Sequence, residues 1–133
     1  MQNVVLKRVH LLESEETFSH PVICFNESKT TSPDQVYLDF REMQRLSGDR
    51  PFFVLADLTK ADPPNLQVRR ALSAAFREFN SDNFIGAYIH VGKSKFIMVA
   101  AKFVFGLIGK QKFHWFDSRE EAIDAIPKNR TKI

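Results

Sequence analysis

The residues able to do chemistry are few in this sequence and widely spaced. Four histidines stand at positions 10, 20, 90 and 114, and no pair of them has the short spacing typical of metal-binding histidines. The single cysteine, Cys24, lies in an apolar run between Val22 and Phe25, which is typical of a reduced core residue. No spacing supports a Ser–His–Asp or Cys–His set, and there is no nucleophile elbow. The sequence therefore predicts no catalytic residue, no bound metal and no cofactor.

A polar turn follows the strongly apolar segment Phe52–Ala56. Asp57, Thr59 and Asp62 stand where a central strand would end, which is where open α/β sheets place their sites. We therefore treat these three residues as a candidate switch loop. The alternative is an ordinary turn in which Asp57 accepts a hydrogen bond from the backbone that follows it. If the protein were an enzyme, these residues and His90 would have to supply its polar chemistry.

A second candidate site is the segment Gly92-Lys93-Ser94-Lys95, between a predicted strand and a predicted helix. It resembles the end of a phosphate-binding P-loop, but the glycine required five residues before Gly92 is replaced by Ala87. A weaker prediction remains, because free backbone N–H groups and two lysines favour an anionic head group at a helix start. The alternative is a serine cap with solvated lysines.

The most apolar stretch of the chain is Phe96–Ile108, which has 13 residues. As a helix it would be roughly 20 Å long, too short for roughly 30 Å of hydrocarbon, so no transmembrane span is predicted. Its apolar residues occupy most of the helix circumference, more than a surface helix needs. It is either a deeply packed helix or one whose second face meets a partner subunit, an acyl chain or a membrane surface. The residues assigned to that second face are Phe96, Phe103, Phe105 and Leu107.

Strand-like and helix-like segments must position these residues, and they alternate along the chain. Two strands are predicted first, over about 4–12 and 18–25, with a turn between them. A helix follows, with Ser32 as N-cap, Pro33 at its first position, Gln35 completing a capping box and Gly48 as the stop. From Phe52 the predicted order is β-α-β-α-β-α, which implies right-handed crossovers and a largely parallel sheet. The predicted ranges are strands at 52–56, 84–91 and 113–116, and helices at 65–79, 95–108 and from 118 to the stop at Pro127.

Composition indicates a single folded domain spanning residues 1–133, in which 127–133 form a basic tail that can be disordered. The chain has 133 residues, 44% of them hydrophobic, and a formal net charge of +3. That charge is too small, and arginines and aromatics too little interleaved, for a nucleic-acid-binding surface. Five lysines and no acidic residue lie from Lys93 to Lys112, which is compatible with peripheral contact to an anionic membrane. The N-terminus lacks the apolar core of a signal peptide, so we expect a cytoplasmic protein.

Three further segments are Phe53–Thr59, Ile89–Ser94 with the apolar helix after it, and Phe116–Ala122. Together they resemble the SpoIIAA-like (STAS-like) family of small bacterial proteins. The resemblance implies a sheet of four or five mostly parallel strands, an N-terminal strand pair and about four helices, a fold shared by anti-sigma-factor antagonists and lipid-carrying CRAL-TRIO domains. In the antagonists a phosphorylatable serine follows an aspartate in the loop after the central strand. Here that loop reads Asp62-Pro63-Pro64-Asn65, so the acceptor serine is absent.

Two functions are compatible with these features. The leading hypothesis is a non-enzymatic module that binds a protein partner or a second copy of itself, without the usual phosphoacceptor. The alternative is a carrier of a lipid or another apolar small molecule, with Gly92–Lys95 holding its head group. The carrier hypothesis predicts an internal cavity of roughly 300 Å³ or more.

Overall fold

A computed structural model describes residues 8–12, 18–27, 32–61, 65–79, 83–92 and 112–128 of the chain. Five strands and three helices occupy these ranges, so the protein has an α/β fold. The elements are β1 (Val9–Leu11), β2 (Val22–Asn26), α1 (Pro33–Ser47), β3 (Phe52–Asp57), α2 (Leu66–Phe79), β4 (Phe84–His90), β5 (Phe113–Phe116) and α3 (Arg119–Ala125). The fourth helix, predicted over 95–108, lies outside the described residues.

The strands form one mixed sheet in the order β1-β2-β3-β4-β5. β1 pairs antiparallel with β2, and the three later pairs are parallel. The predicted strand pair and the mostly parallel sheet are therefore confirmed. The predicted start of the second strand at Phe18 is wrong, because β2 begins at Val22, after the ring of Pro21. Phe18 instead forms an isolated antiparallel bridge with Lys128.

Helices cover both faces of the sheet. α1 and α2 pack against each other, and Met43 of α1 joins the core of one face with Val54 and Ile89. Among the described residues, α1 and α2 share this face, as expected when the β2–β3 and β3–β4 crossovers are both right-handed and the strands are added in the same direction. α3 follows the last strand and packs on the opposite face, where Ala122 is buried with Phe53.

The first helix begins and ends at the predicted residues, but its predicted capping box is wrong. The Ser32 hydroxyl accepts a hydrogen bond from the Gln35 backbone N–H, and Pro33 occupies the first turn. The Gln35 side chain does not return to Ser32 and instead donates to Asp39 at 2.9 Å. Gly48 ends the helix with a positive φ of 57°, a conformation that glycine adopts without a steric penalty.

Lys128, within the predicted tail, takes part in the fold. Its Nζ donates to the carbonyl oxygens of Ile123, Asp124 and Ile126 at 2.9–3.0 Å. A lysine placed on these carbonyls satisfies acceptors that the end of α3 leaves unpaired. Residues 129–133 of the predicted tail lie outside the described ranges. In those ranges no helix has the length and apolar character needed to cross a membrane.

Candidate functional site

Three polar side chains stand in register where the parallel strands end. Asn26 is paired with Asp57, and Asp57 with His90, across the ends of β2, β3 and β4. Residues at matched positions on neighbouring strands point to the same face, so these three form one row, which we call the carboxyl-edge row. Strand order never reverses from β2 to β5, so these strands lack the crevice in which open α/β sheets usually bind ligands.

The Asp57 side chain builds the turn that follows β3. Its Oδ1 accepts hydrogen bonds from the Thr59 backbone N–H at 2.8 Å and from the Thr59 hydroxyl at 2.6 Å. The Leu58 backbone N–H donates to the His90 carbonyl oxygen at 3.0 Å, which ties this turn to the end of β4. The alternative that we weighed for this segment, a turn held by Asp57, is therefore confirmed. Asp62, the third residue of the candidate switch loop, lies outside the described residues.

His90 is buried beside this turn and is only 5% exposed. Its Nε2 has no hydrogen-bond partner in the described part of the chain, and the nearest carboxylate oxygen, Asp57 Oδ2, is 3.9 Å away. That distance is too long for a hydrogen bond. Burial lowers the pKa of His90, the nearby Asp57 carboxylate opposes this, and Arg119 adds to it. The imidazole is therefore neutral at pH 7, and within the described residues its Nε2 is a buried polar atom without a hydrogen-bond partner, which is rare in proteins.

Arg119 is the first residue of α3, the helix that packs on this face of the sheet. Arg119 itself is exposed, yet it acts electrostatically on both His90 and the Cys24 thiol. Burial raises the pKa of Cys24 more than the hydrogen bond and charge of Arg119 lower it, so the thiol is protonated at neutral pH. Cys24 is fully buried, which confirms its prediction as a core residue.

The two candidate sites predicted from the sequence meet at one position. Gly92 has a positive φ of 63°, and a Cβ atom there would lie 3.3 Å from the Thr59 methyl carbon. The switch loop and the start of the head-group segment are therefore in contact. The other proposed head-group residues, Lys93, Ser94 and Lys95, lie outside the described residues, as does the proposed apolar face of Phe96, Phe103, Phe105 and Leu107.

The sequence analysis did not find two members of this site, Asn26 and Arg119. Asn26 ends a strand as Asp57 does, so aligning the ends of the predicted parallel strands was the signal available for it. Arg119 had no such signal, because its approach to Cys24 depends on how α3 packs across the sheet.

The opposite face of the sheet contains an apolar cavity of about 90 Å³ beneath α1. Its volume is well below the roughly 300 Å³ expected of a small-molecule carrier. The lining is mostly aromatic and aliphatic, and its polar members are Glu27, Asp39 and Gln44. The apolar members are Phe25, Val36, Phe40, Met43, Phe52, Val54, Ala56, Leu58, Leu72, Phe84, Ala87, Ile89 and Phe113.

An ion-pair cluster stands at the rim of this cavity. Arg8 donates to both oxygens of Asp39, at 2.7–3.3 Å, and also to Glu27. Gln35 adds a further hydrogen bond to Asp39. Asp39 is only 4% exposed, so its charge is buried but well supplied with donors.

No group of three or more histidine, cysteine, aspartate or glutamate side chains within the described ranges could hold a metal ion. In comparisons with known proteins, no family model matches this chain, and no curated protein matches it. Function must therefore be argued from the site itself.

Proposed function

We propose that the protein is a non-enzymatic, cytoplasmic interaction module of the STAS-like type that binds a protein partner or a second copy of itself through the carboxyl edge of its sheet. The observation that carries this proposal is the position of two leucines. Leu38 is 56% exposed and Leu66 is 52% exposed, and they are the large hydrophobic residues that stand out as exposed in the described part of the chain. Both lie in the opening turns of their helices.

The helices that carry the two leucines begin at the edge of the sheet that holds the Asp57–Thr59 turn. A helix that connects parallel strands runs antiparallel to them, so α1 and α2 both start near the carboxyl ends of the strands. Exposed apolar side chains beside polar groups are typical of a protein interface with a polar rim. The turn is held by the two Asp57 hydrogen bonds, so a partner would meet a preorganised surface, which lowers the entropic cost of binding.

The proposed module works without the phosphorylated serine of the family that it resembles. Thr59 is the nearest hydroxyl, and it donates to Asp57 rather than standing free. A phosphate there would place about two negative charges next to the Asp57 carboxylate and be repelled by it. We therefore propose constitutive binding rather than a kinase-controlled switch.

A carrier of small apolar molecules is the second candidate, favoured by the apolar lining of the α1 cavity. An engineered cavity of roughly 150 Å³ holds benzene, so a cavity of about 90 Å³ suits only a very small ligand. The observed volume counts against a lipid as the cargo.

The test compares charge introduced at the leucines with charge introduced beside them. Leu66→Asp and Leu38→Asp place a carboxylate on the proposed surface, whereas Gln67→Asp introduces the same charge at an exposed neighbouring position. Native mass spectrometry of protein purified without detergent from its own host reports the dimer or the bound partner directly. We expect both leucine variants to lose at least tenfold in affinity and Gln67→Asp to retain the complex.

Three outcomes would contradict the proposal. One is equal loss in all three variants, another is no loss in either leucine variant, and the third is a bare monomer in every preparation. Additional small-molecule mass on a monomer would support the carrier instead.

A further inference from the structure

The Nε2 of His90, which has no hydrogen-bond partner among the described residues, lies where two loops are joined. The end of β3 and the end of β4 are linked by the Leu58–His90 backbone hydrogen bond. They meet again where Thr59 packs against Gly92, two residues after His90. The Asp57 carboxylate lies between the same two strand ends, since its Oδ1 accepts hydrogen bonds from Thr59 while its Oδ2 is 3.9 Å from the imidazole Nε2.

The gap between His90 Nε2 and Asp57 Oδ2 is suited to respond to a proton. With neutral imidazole, the 3.9 Å separation forms no hydrogen bond. A protonated ring would carry a buried positive charge at an atom with no partner, which is costly unless a counter-charge approaches. Closing the gap to roughly 2.8 Å gives a charge-assisted hydrogen bond, so a shift of about 1 Å satisfies the charge.

Few charged groups among the described residues act on the ring. Asp57, on β3, attracts a protonated imidazole, and Arg119, on α3, repels it. Cys24, on β2, stays neutral because burial raises its pKa, and so does Tyr88 on the same strand as His90. Phe116, the register partner on β5, does not titrate. Asp57 is therefore the group that a protonated His90 would draw toward itself.

We propose that His90 and Asp57 form an acid-sensitive latch: protonation of His90 pulls the Asp57 carboxylate toward the ring and changes the Asp57–Thr59 turn and the backbone at Gly92. The latch goes beyond the proposed partner binding. It rests on the geometry of the two strand ends, so its test does not depend on whether the protein binds a partner.

The test is an NMR titration of the isolated protein from pH 8 to pH 5. The ring carbon signals of the four histidines give their individual midpoints, and backbone amide signals report on Leu58, Thr59 and Gly92. We expect these three amides to shift with the midpoint of His90, below about 6.5, the ordinary pKa of histidine. Asp57→Asn should lower that midpoint further, because it removes the attracting charge.

Two variants separate this histidine from the others. His90→Gln keeps a polar side chain that cannot titrate, and it should abolish the shared amide shifts. His114→Gln is the matched control, because His114 is an exposed histidine stacked on Tyr88, and it should leave them in place.

The latch is disproved if the His90 ring titrates while the Thr59 and Gly92 amides stay still, or if it does not titrate before the protein unfolds. If His90→Gln fails to fold, the latch is still tested by comparing the midpoint of the His90 ring with the midpoints of the three amides in the wild-type protein. Persistence of the amide shifts in a folded His90→Gln variant would also overturn the proposal.

Discussion

Two buried polar clusters lie on opposite faces of the same sheet, and they differ in how completely their hydrogen bonds are made. Asp39, on the α1 face, accepts hydrogen bonds from Arg8 and Gln35 at normal distances. His90, at the carboxyl edge, is buried as deeply, but its Nε2 has no hydrogen-bond partner in the ranges that the structure describes, and the nearest carboxylate oxygen is 3.9 Å away. A satisfied cluster holds one arrangement firmly, whereas an unsatisfied one can gain an interaction when its charge changes. The Asp39 cluster is therefore structural, whereas the His90 cluster is suited to respond to protonation.

The largest effect should come from breaking the satisfied cluster. Asp39→Ala removes one of the two carboxylates paired with Arg8 and should lower the free energy of unfolding by up to about 3 kcal/mol, because a buried ion pair loses one member. Urea unfolding followed by circular dichroism measures this change. Glu42→Gln is the control, because it breaks the exposed Arg45–Glu42 pair on the same helix, and it should change stability little. Equal effects from the two variants would contradict a structural role for the Asp39 cluster.

An intermediate effect should come from Gly92, where the two strand ends meet. Gly92→Ala forces alanine into a left-handed conformation and should cost about 1–2 kcal/mol, increased by the 3.3 Å approach to the Thr59 methyl carbon. Unfolding in urea again provides the measurement. Gly48→Ala is the matched control, because its φ of 57° is similar but its nearest contact is Arg50 Nε at 3.9 Å.

The difference between these two glycine variants isolates the loop contact. Thr59→Ser, combined with Gly92→Ala, removes the crowded methyl group and should recover the packing part of the loss, but not the backbone part. If Gly48→Ala lowers the free energy of unfolding as much as Gly92→Ala does, the close approach of Thr59 to Gly92 does not contribute to the cost of the substitution.

The smallest effect should be the contribution of His90 to the pH dependence of stability. Burial lowers its pKa in the folded protein, so the folded state binds fewer protons than the unfolded state. Stability should therefore be complete above about pH 6.5 and fall as the pH drops from there toward the folded pKa. Attraction to Asp57 offsets part of this loss. Urea midpoints measured between pH 8 and pH 5 should show a shallower fall in His90→Gln than in the wild type, and parallel curves would exclude His90 as the source.

Several elements could be predicted from the sequence because local chemistry determines them. Phe113–Phe116 is the predicted fifth strand, β3 extends only one residue past the prediction, and α1 starts after Ser32 and ends before Gly48. These bounds follow from caps, stops and continuous apolar runs, all of which act within a few residues. The strand predicted over 18–25 failed at its start, since Phe18 packs beside Ile126 and bridges to Lys128, contacts that no local pattern reveals.

The candidate site also has one part that could be predicted from the sequence and one part that could not. The Asp57–Thr59 turn could be read from the sequence, because an aspartate bonding to the backbone two residues later is a local interaction. The placement of His90 beside Asp57 requires the register of two parallel strands that are separated by a helix. The Gln35 side chain shows how a tertiary contact replaces a local one. It donates to Asp39, which is also bound by Arg8, and does not complete the predicted capping box.

An α/β domain with a mostly parallel sheet could be predicted from the sequence, because apolar periodicity and turn residues specify each element over short distances. Which polar side chains are fully paired depends instead on the tertiary fold. Asp39 on α1 is hydrogen-bonded to Arg8, which directly precedes β1. His90 lies 3.9 Å from the Asp57 carboxylate, which is too far for a hydrogen bond. Pairing across elements depends on register and helix packing to within about an ångström, and side-chain spacing along the chain carries no information at that scale.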